Sequence, residues 1–306
     1  MSRKEFRCLR IAVSLAALSI FCACAPDGSQ SADNGGIGGT GISQGEITAF
    51  GSIFVNGVQW DIDSASISLD GAAGSESELR LGMNVRVIGD LATDGLSGSA
   101  LSVDFDDALE GPIESAPVLV LPGGVEKTFT ILGQTVVVNE ESTIFADGAT
   151  FAGLAVDQVV EVSGFVSANS SILATRVALR GEFPTVSAVS VQADVQNLLK
   201  NPDGSGVFDL GTITIRYLAT TELSGVTRAD LENGLRIDVA GDLRASGSEI
   251  DANRIELDED GLGQQDAEDV ELEGLVSDFV SLSDFKLAGV PIDATGAILS
   301  PPTLVV

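Results

Sequence analysis

Carboxylates are the side chains of this sequence that could do chemistry. They gather at Asp61 and Asp63, at Asp104, Asp106 and Asp107, and at Asp258, Glu259, Asp260, Asp266, Glu268 and Asp269. Oxygen donors suit calcium, and Asp258-x-Asp260-Gly261 is a fragment of a calcium loop, with Asp266 as a further donor. The fragment departs from the EF-hand, because glycine comes at the fourth position, no Asp follows at the fifth and no helical pattern flanks it. Calcium at Asp258, Asp260 and Asp266 is the one metal expectation, weighed against the commoner use of such a run as a solvated acidic insertion. Paired carboxylates also perform glycoside hydrolysis, but nothing marks one of these as buried and no aromatic subsites accompany them.

Other chemistries are excluded by composition. The chain has no histidine, which removes Ser-His-Asp and Cys-His schemes and every imidazole metal site. No enzyme activity and no organic cofactor are expected. The formal charge of −29 repels nucleic acid, and one Trp and one Tyr offer no row of rings on which bases could stack.

Cys8, Cys22 and Cys24 all lie at the start of the chain, so the remainder holds no disulfide. Arg3, Lys4, Arg7 and Arg10 precede an uncharged apolar stretch from Ile11 to Ala23, the pattern of an export signal over residues 1–24. The segment carries +3, so its removal takes −29 to −32. Ala23-Cys24 resembles the end of a bacterial lipobox, which makes Cys24 the expected lipid site and the outer membrane or periplasm the expected location. Phe21 and Cys22 are atypical before such a cysteine, and cleavage by an ordinary signal peptidase is the alternative. Residues 25–44, rich in Gly, Ser, Asp and Asn, are expected to form a flexible tether.

These groups need a scaffold, and one pattern supplies it. Ile53, Val55, Val58 and Trp60 alternate about Asn56-Gly57, which is a β-hairpin. The same spacing returns at Phe129, Ile131, Gly133 and Val136, at Phe208, Leu210, Ile213 and Ile215, and at Phe285, Leu287, Gly289, Val290 and Ile292. After the first hairpin comes a polar stretch with a short helical piece ending at Leu79, then strands marked by Gly82, Val85, Val87 and Gly89 and by Ala100, Val103 and Phe105. Gly45 and Gly111 stand 66 residues apart, Gly111 and Gly181 stand 70 apart, and Gly181 and Gly274 stand 93 apart. Such a period indicates copies of one small domain. The expected units are residues 45–110, 111–180 and 181–273, with an incomplete fourth at 274–306 that either packs on the third or marks a truncated chain. The third is lengthened by residues 192–206, where Val195 to Leu199 reads as one helical turn, and by an acidic segment. Three strands, a connection and two strands is the order of an oligonucleotide/oligosaccharide-binding barrel, with Gly51 placed to bend the first strand; a small β-sandwich is the alternative.

The run Gly35 to Gly41, then Gly45-x-Ile47, Gly51-Ser52-Ile53-x-Val55-Asn56-Gly57 and Gly82-Met83-x-Val85-x-Val87-x-Gly89, resembles the bacterial exported family called domain of unknown function 5666. The resemblance implies tandem small β domains on lipoproteins of Gram-negative bacteria and transfers no catalytic or binding residue. The function expected is a structural or protein-interaction module of the cell envelope. The alternative is a module binding a glycan, small ligand or calcium.

Overall fold

The computed structural model describes residues 9–11, 40–120, 124–167, 171–258 and 269–300. Cys24 and residues 25–39 lie outside them, as does most of the expected leader, apart from Leu9–Ile11, whose backbone runs parallel to Val270–Leu272. The described residues form strands with two short 3-10 turns, Glu76–Glu78 and Phe151–Gly153. Among the described residues no helix is long and apolar enough to cross a membrane.

In the first unit the strands are Thr40–Ala49, Ile53–Val55, Val58–Asp61 continued by Ser66–Leu69, Asn84–Leu91 and Ser97–Phe105. The first pairs antiparallel with the second and fourth, the second with the third and the fourth with the fifth, while the third runs parallel to the fifth. Following those pairings returns to the starting strand, so the sheet closes into a five-stranded barrel of the oligonucleotide/oligosaccharide-binding order. The sandwich alternative is thereby set aside. A second barrel uses Leu109–Pro112, Glu126–Ile131, Gln134–Asn139, Gln158–Val166 and Ile172–Glu182, and a third uses Ala188–Lys200, Gly206–Leu210, Ile213–Tyr217, Arg236–Leu243 and Glu249–Leu257. Their pairings repeat those of the first.

Alternating residues fill each interior. Ile53, Val55, Val58, Trp60, Val85, Val87, Val103 and Phe105 pack together inside the first barrel, each contributing about 1.5–3 kcal/mol of apolar burial. Three of the four hairpin turns keep one geometry although their sequences diverge, the third barrel's Gly211-Thr212 having positive φ at Gly211 alone. Asn56-Gly57, Leu132-Gly133 and Ala288-Gly289 all have positive φ at both residues, as a type I′ turn requires. Leu132 is a poor residue for that backbone, but its side chain is buried against the second core, which offsets the strain.

The glycine landmarks of the fourth strand have a tertiary cause. Gly89, Gly164 and Gly241 each sit at a register shift against the fifth strand. A Cβ there would lie 2.2 Å from the Ser99 carbonyl oxygen, 2.3 Å from that of Leu173 and 2.4 Å from that of Asp251. Ala100, Ala174 and Ala252 follow those carbonyls, so glycine and alanine together let the two strands close tightly where the barrel bends.

Two threonines complete this bend. Thr143 Oγ1 accepts the Asn139 N–H and donates to the Ala174 carbonyl; Thr221 Oγ1 accepts the Leu218 N–H and donates to the Ala252 carbonyl. Both are buried. Substituting Thr221 or Thr143 with alanine orphans a backbone donor and acceptor, and each change is expected to cost about 1–2 kcal/mol. Urea unfolding midpoints will check this, with serine expected to recover most of the loss.

Several elements differ from expectation. Thr40–Ala49 begins inside the stretch 25–44 assigned to the tether, because Gly41 to Glu46 pair with Asn84 to Gly89 of the fourth strand. Gly51 lies in the turn after the first strand, with φ of 120°, while the irregularity within that strand falls between Ile47 and Ala49. Val195 to Leu199 is strand, not helix. Its backbone is claimed on both sides, by Leu210 and Leu235, and the excess residues form a bulge around Asn197 at φ 52°.

The fourth unit, expected from residue 274, holds Val276–Ser281, Asp284–Leu287 and Val290–Ile292, and Asp269–Leu272, assigned in sequence to the end of the third unit, packs with it instead. Asp269–Leu272 pairs parallel to Gly41–Gln44 of the first barrel, while Val270 and Leu272 pack with Phe285, Leu287, Val290 and Ile292. The fourth unit is therefore joined by strand pairing to the first barrel.

Candidate functional site

The three barrels meet around a cluster of carboxylates, of which Asp107 and Glu161 are buried. Leu109–Pro112 belongs to the second barrel but pairs on its other edge with Ala188–Lys200 of the third, so one sheet runs from barrel to barrel. Glu110 lies in that shared strand with Glu161 directly opposite on one side and Ser190 on the other. Ser190 Oγ donates to Asp107 Oδ1, in the link between the first and second barrels. Asp70, at the tip of the first barrel's Asp70-Gly71 turn, accepts the Asp107 N–H at 2.9 Å.

Strand alternation explains the placement. Val160 and Val162 point into the second barrel, which turns Val159, Glu161 and Ser163 outward; yet all three are buried, because the neighbouring units cover this face. The contact with the first barrel is close: Thr175 Oγ1 donates to the Gly82 carbonyl at 2.7 Å. Arg180 pairs with Glu161 and also approaches Asp147, and Arg254 pairs with Glu256.

Burial governs the protonation of this cluster. It pushes Asp107 well above the usual carboxylate range, aided by the charges of Asp70 and Asp238. Burial, then Glu161, takes Glu110 up to about 7. Burial, then Asp106, takes half-buried Asp238 up to about 7. Each value records the cost of keeping a carboxylate charged away from water beside others of its sign.

The acidic residues singled out in the sequence separate in the fold. Asp104, Asp106 and Asp107 lead into the junction, with Asp104 also 4.0 Å from Arg86. Asp61 and Asp63 form an exposed turn in which Asp61 accepts the Asp63 N–H. Asp258 accepts from Arg236 Nε at 2.7 Å at the edge of the third barrel, whereas Asp260 and Asp266 lie outside the described residues. Glu110 and Glu161 were missed by sequence reasoning. The available signal was one carboxylate inside the apolar run Val159-Val160-Glu161-Val162.

A second carboxylate pair lies where the fourth unit joins the first barrel. Burial, then the charge of Glu273, pushes Glu46 up to about 7, and burial raises Glu273 as well. The folded state therefore holds its proton at a pH where the unfolded chain releases it. The contribution to docking is complete below about pH 4.5 and is lost as pH rises through about 7. Amide exchange, corrected for intrinsic rate, is expected to show protection of residues 269–273 falling between about pH 5.5 and about pH 8. Glu46→Gln should flatten that dependence.

Cations on the hairpins that such barrels use for ligands are committed internally. Lys127 sits 4.5 Å over the Phe151 ring and donates to its carbonyl, and Arg216 makes two bonds to Glu249 at 2.9 and 3.1 Å.

The sequence profile of the domain of unknown function, DUF5666, matches residues 43–104, 110–178 and 201–256, more than half of the chain. The chain belongs to that family. Each DUF5666 match falls on one closed barrel. No curated protein matches the chain. Among solved structures, the Drosophila chain "Unr CSD456" aligns over 71% of this chain and 96% of its own, with 13% identity and a TM-score of 0.21. A likeness at that score carries no argument about ligand.

Proposed function

We propose that this protein is a non-catalytic structural and protein-interaction module of the cell envelope, held to a membrane by lipid on Cys24. The observation that carries the interaction reading is the fourth unit. Among the described residues Val276–Ser281 pairs on one side only, with Asp284–Leu287. Val276 and Val280, together with the less exposed Phe279 and Leu282, leave apolar surface at this free edge. A strand edge beside exposed apolar side chains suits strand addition by a partner protein. The non-catalytic reading is supported by the absence of histidine and by the use of the buried carboxylates to join barrels.

The export reading rests on the basic start, the apolar stretch and Ala23-Cys24. The expected result is that the wild type takes up labelled palmitate and sediments with membranes, whereas Cys24→Ala does neither. Equal behaviour of the two overturns the anchor. For the interaction, a partner captured from envelope extract by the wild type should be lost with Val280→Asp. Retention by that variant overturns the role given to this edge.

A further inference from the structure

We propose that Asp107, Glu110 and Glu161 form a calcium site at the junction of the three barrels. One carboxylate oxygen from each of the three lies within 4.8 Å of the others. Calcium holds oxygen ligands at about 2.4 Å in flexible geometry, so one ion can reach all three oxygens, whereas magnesium demands a near-ideal octahedron at about 2.1 Å and keeps its waters. Glu161 is 4% exposed; its Oε2 takes Arg180, and its Oε1 is buried with no hydrogen-bond partner. An unpartnered buried carboxylate oxygen is costly, and a cation would take it.

The sheet register gives an independent reason. Glu110 and Glu161 are direct cross-strand neighbours on the same face, and like charges so placed repel. Asp70, Asp106 and Asp238 add to the same field, against Arg180, Arg254 and Arg176, the last also paired with Asp147. A divalent cation neutralises two of the excess charges and links the shared strand, the second barrel's fourth strand and the link from the first barrel. The ligands come from two segments, residues 107–110 and the second barrel's fourth strand, and Asp107 is placed by Ser190 of the third barrel and Asp70 of the first, so the site is completed where the barrels meet. This site is distinct from the acidic insertion around Asp258, and the inference does not depend on where the protein resides.

The test uses the purified protein, stripped with EDTA, at about pH 7.5. Calcium in roughly hundredfold excess over its dissociation constant is expected to raise the melting temperature by about 5–10 °C. Magnesium at the same concentration should give less than half of that. Glu110→Gln and Glu161→Gln should each abolish the rise, while Asp258→Asn keeps it. If Glu161→Gln fails to fold because Arg180 loses its partner, Glu110→Gln decides. Calorimetric titration of the wild type should show one calcium bound. The proposal is overturned if millimolar calcium produces no rise. It is equally overturned if the rise survives Glu110→Gln, the result expected of diffuse binding to an acidic surface.

Discussion

Replacing Gly164 with alanine is expected to destabilise the central barrel by about 3 kcal/mol, near the top of the range for forcing extra atoms into a packed core. The added Cβ would meet the Leu173 carbonyl oxygen at 2.3 Å and Ala174 Cα at 2.9 Å. Both are backbone atoms, so no side-chain rotation relieves the contact, and the fourth and fifth strands must part where the barrel bends. The damage should spread, because Leu109–Pro112 is shared between the second barrel's fourth strand and the third barrel's first. Limited proteolysis should therefore open the second and third barrels together. Gly89→Ala and Gly241→Ala meet the same obstacle at 2.2 and 2.4 Å and should cost similar amounts. Urea unfolding with a loss below about 0.5 kcal/mol at all three positions would refute the closure role given to these glycines.

Trp60→Ala is expected to cost about 3–5 kcal/mol in the first barrel. The indole is 1% exposed and lies in a slot made by glycines. A Cβ on Gly98 would come 2.5 Å from the ring, one on Gly89 2.9 Å and one on Gly41 3.5 Å. Trp60→Phe should cost no more than about 2 kcal/mol, since the ring loss is partly offset by removing an indole N–H. That group is buried without a hydrogen-bond partner. Calorimetry that found the alanine and phenylalanine variants equal would show that the slot does not grip the ring.

The Asp107, Glu110 and Glu161 cluster accounts for how three small barrels hold one arrangement. The first barrel has its own core, and the second and third share one apolar cluster, but the outward faces buried where they meet also carry charge. Burying those charges is unfavourable unless protons, arginines or a metal ion neutralise them. Arg180 and Arg254 meet part of that need, and the proposed calcium meets more.

Much of the barrel was legible in the chain itself. Alternation about Asn56-Gly57 determines a hairpin and its inward face, because side chains on a strand have a period of two and Asn-Gly tolerates positive φ. Repetition of Gly89, Gly164 and Gly241, each followed by an alanine in the next strand, determines the number of closed units, because every copy must bend at the same place. The missing histidine closes imidazole chemistry to the protein.

Other features were decided only by tertiary structure. Val195 to Leu199 joined a strand because Leu210 and Leu235 claimed its backbone, and Gly41 left the tether because Trp60 and the fourth strand required it. The meeting of Asp107, Glu110 and Glu161 was equally hidden. Asp107 and Glu110 are close in the chain, but Glu161 meets them only through its register against Glu110 on a distant strand, which leaves no periodic trace in sequence.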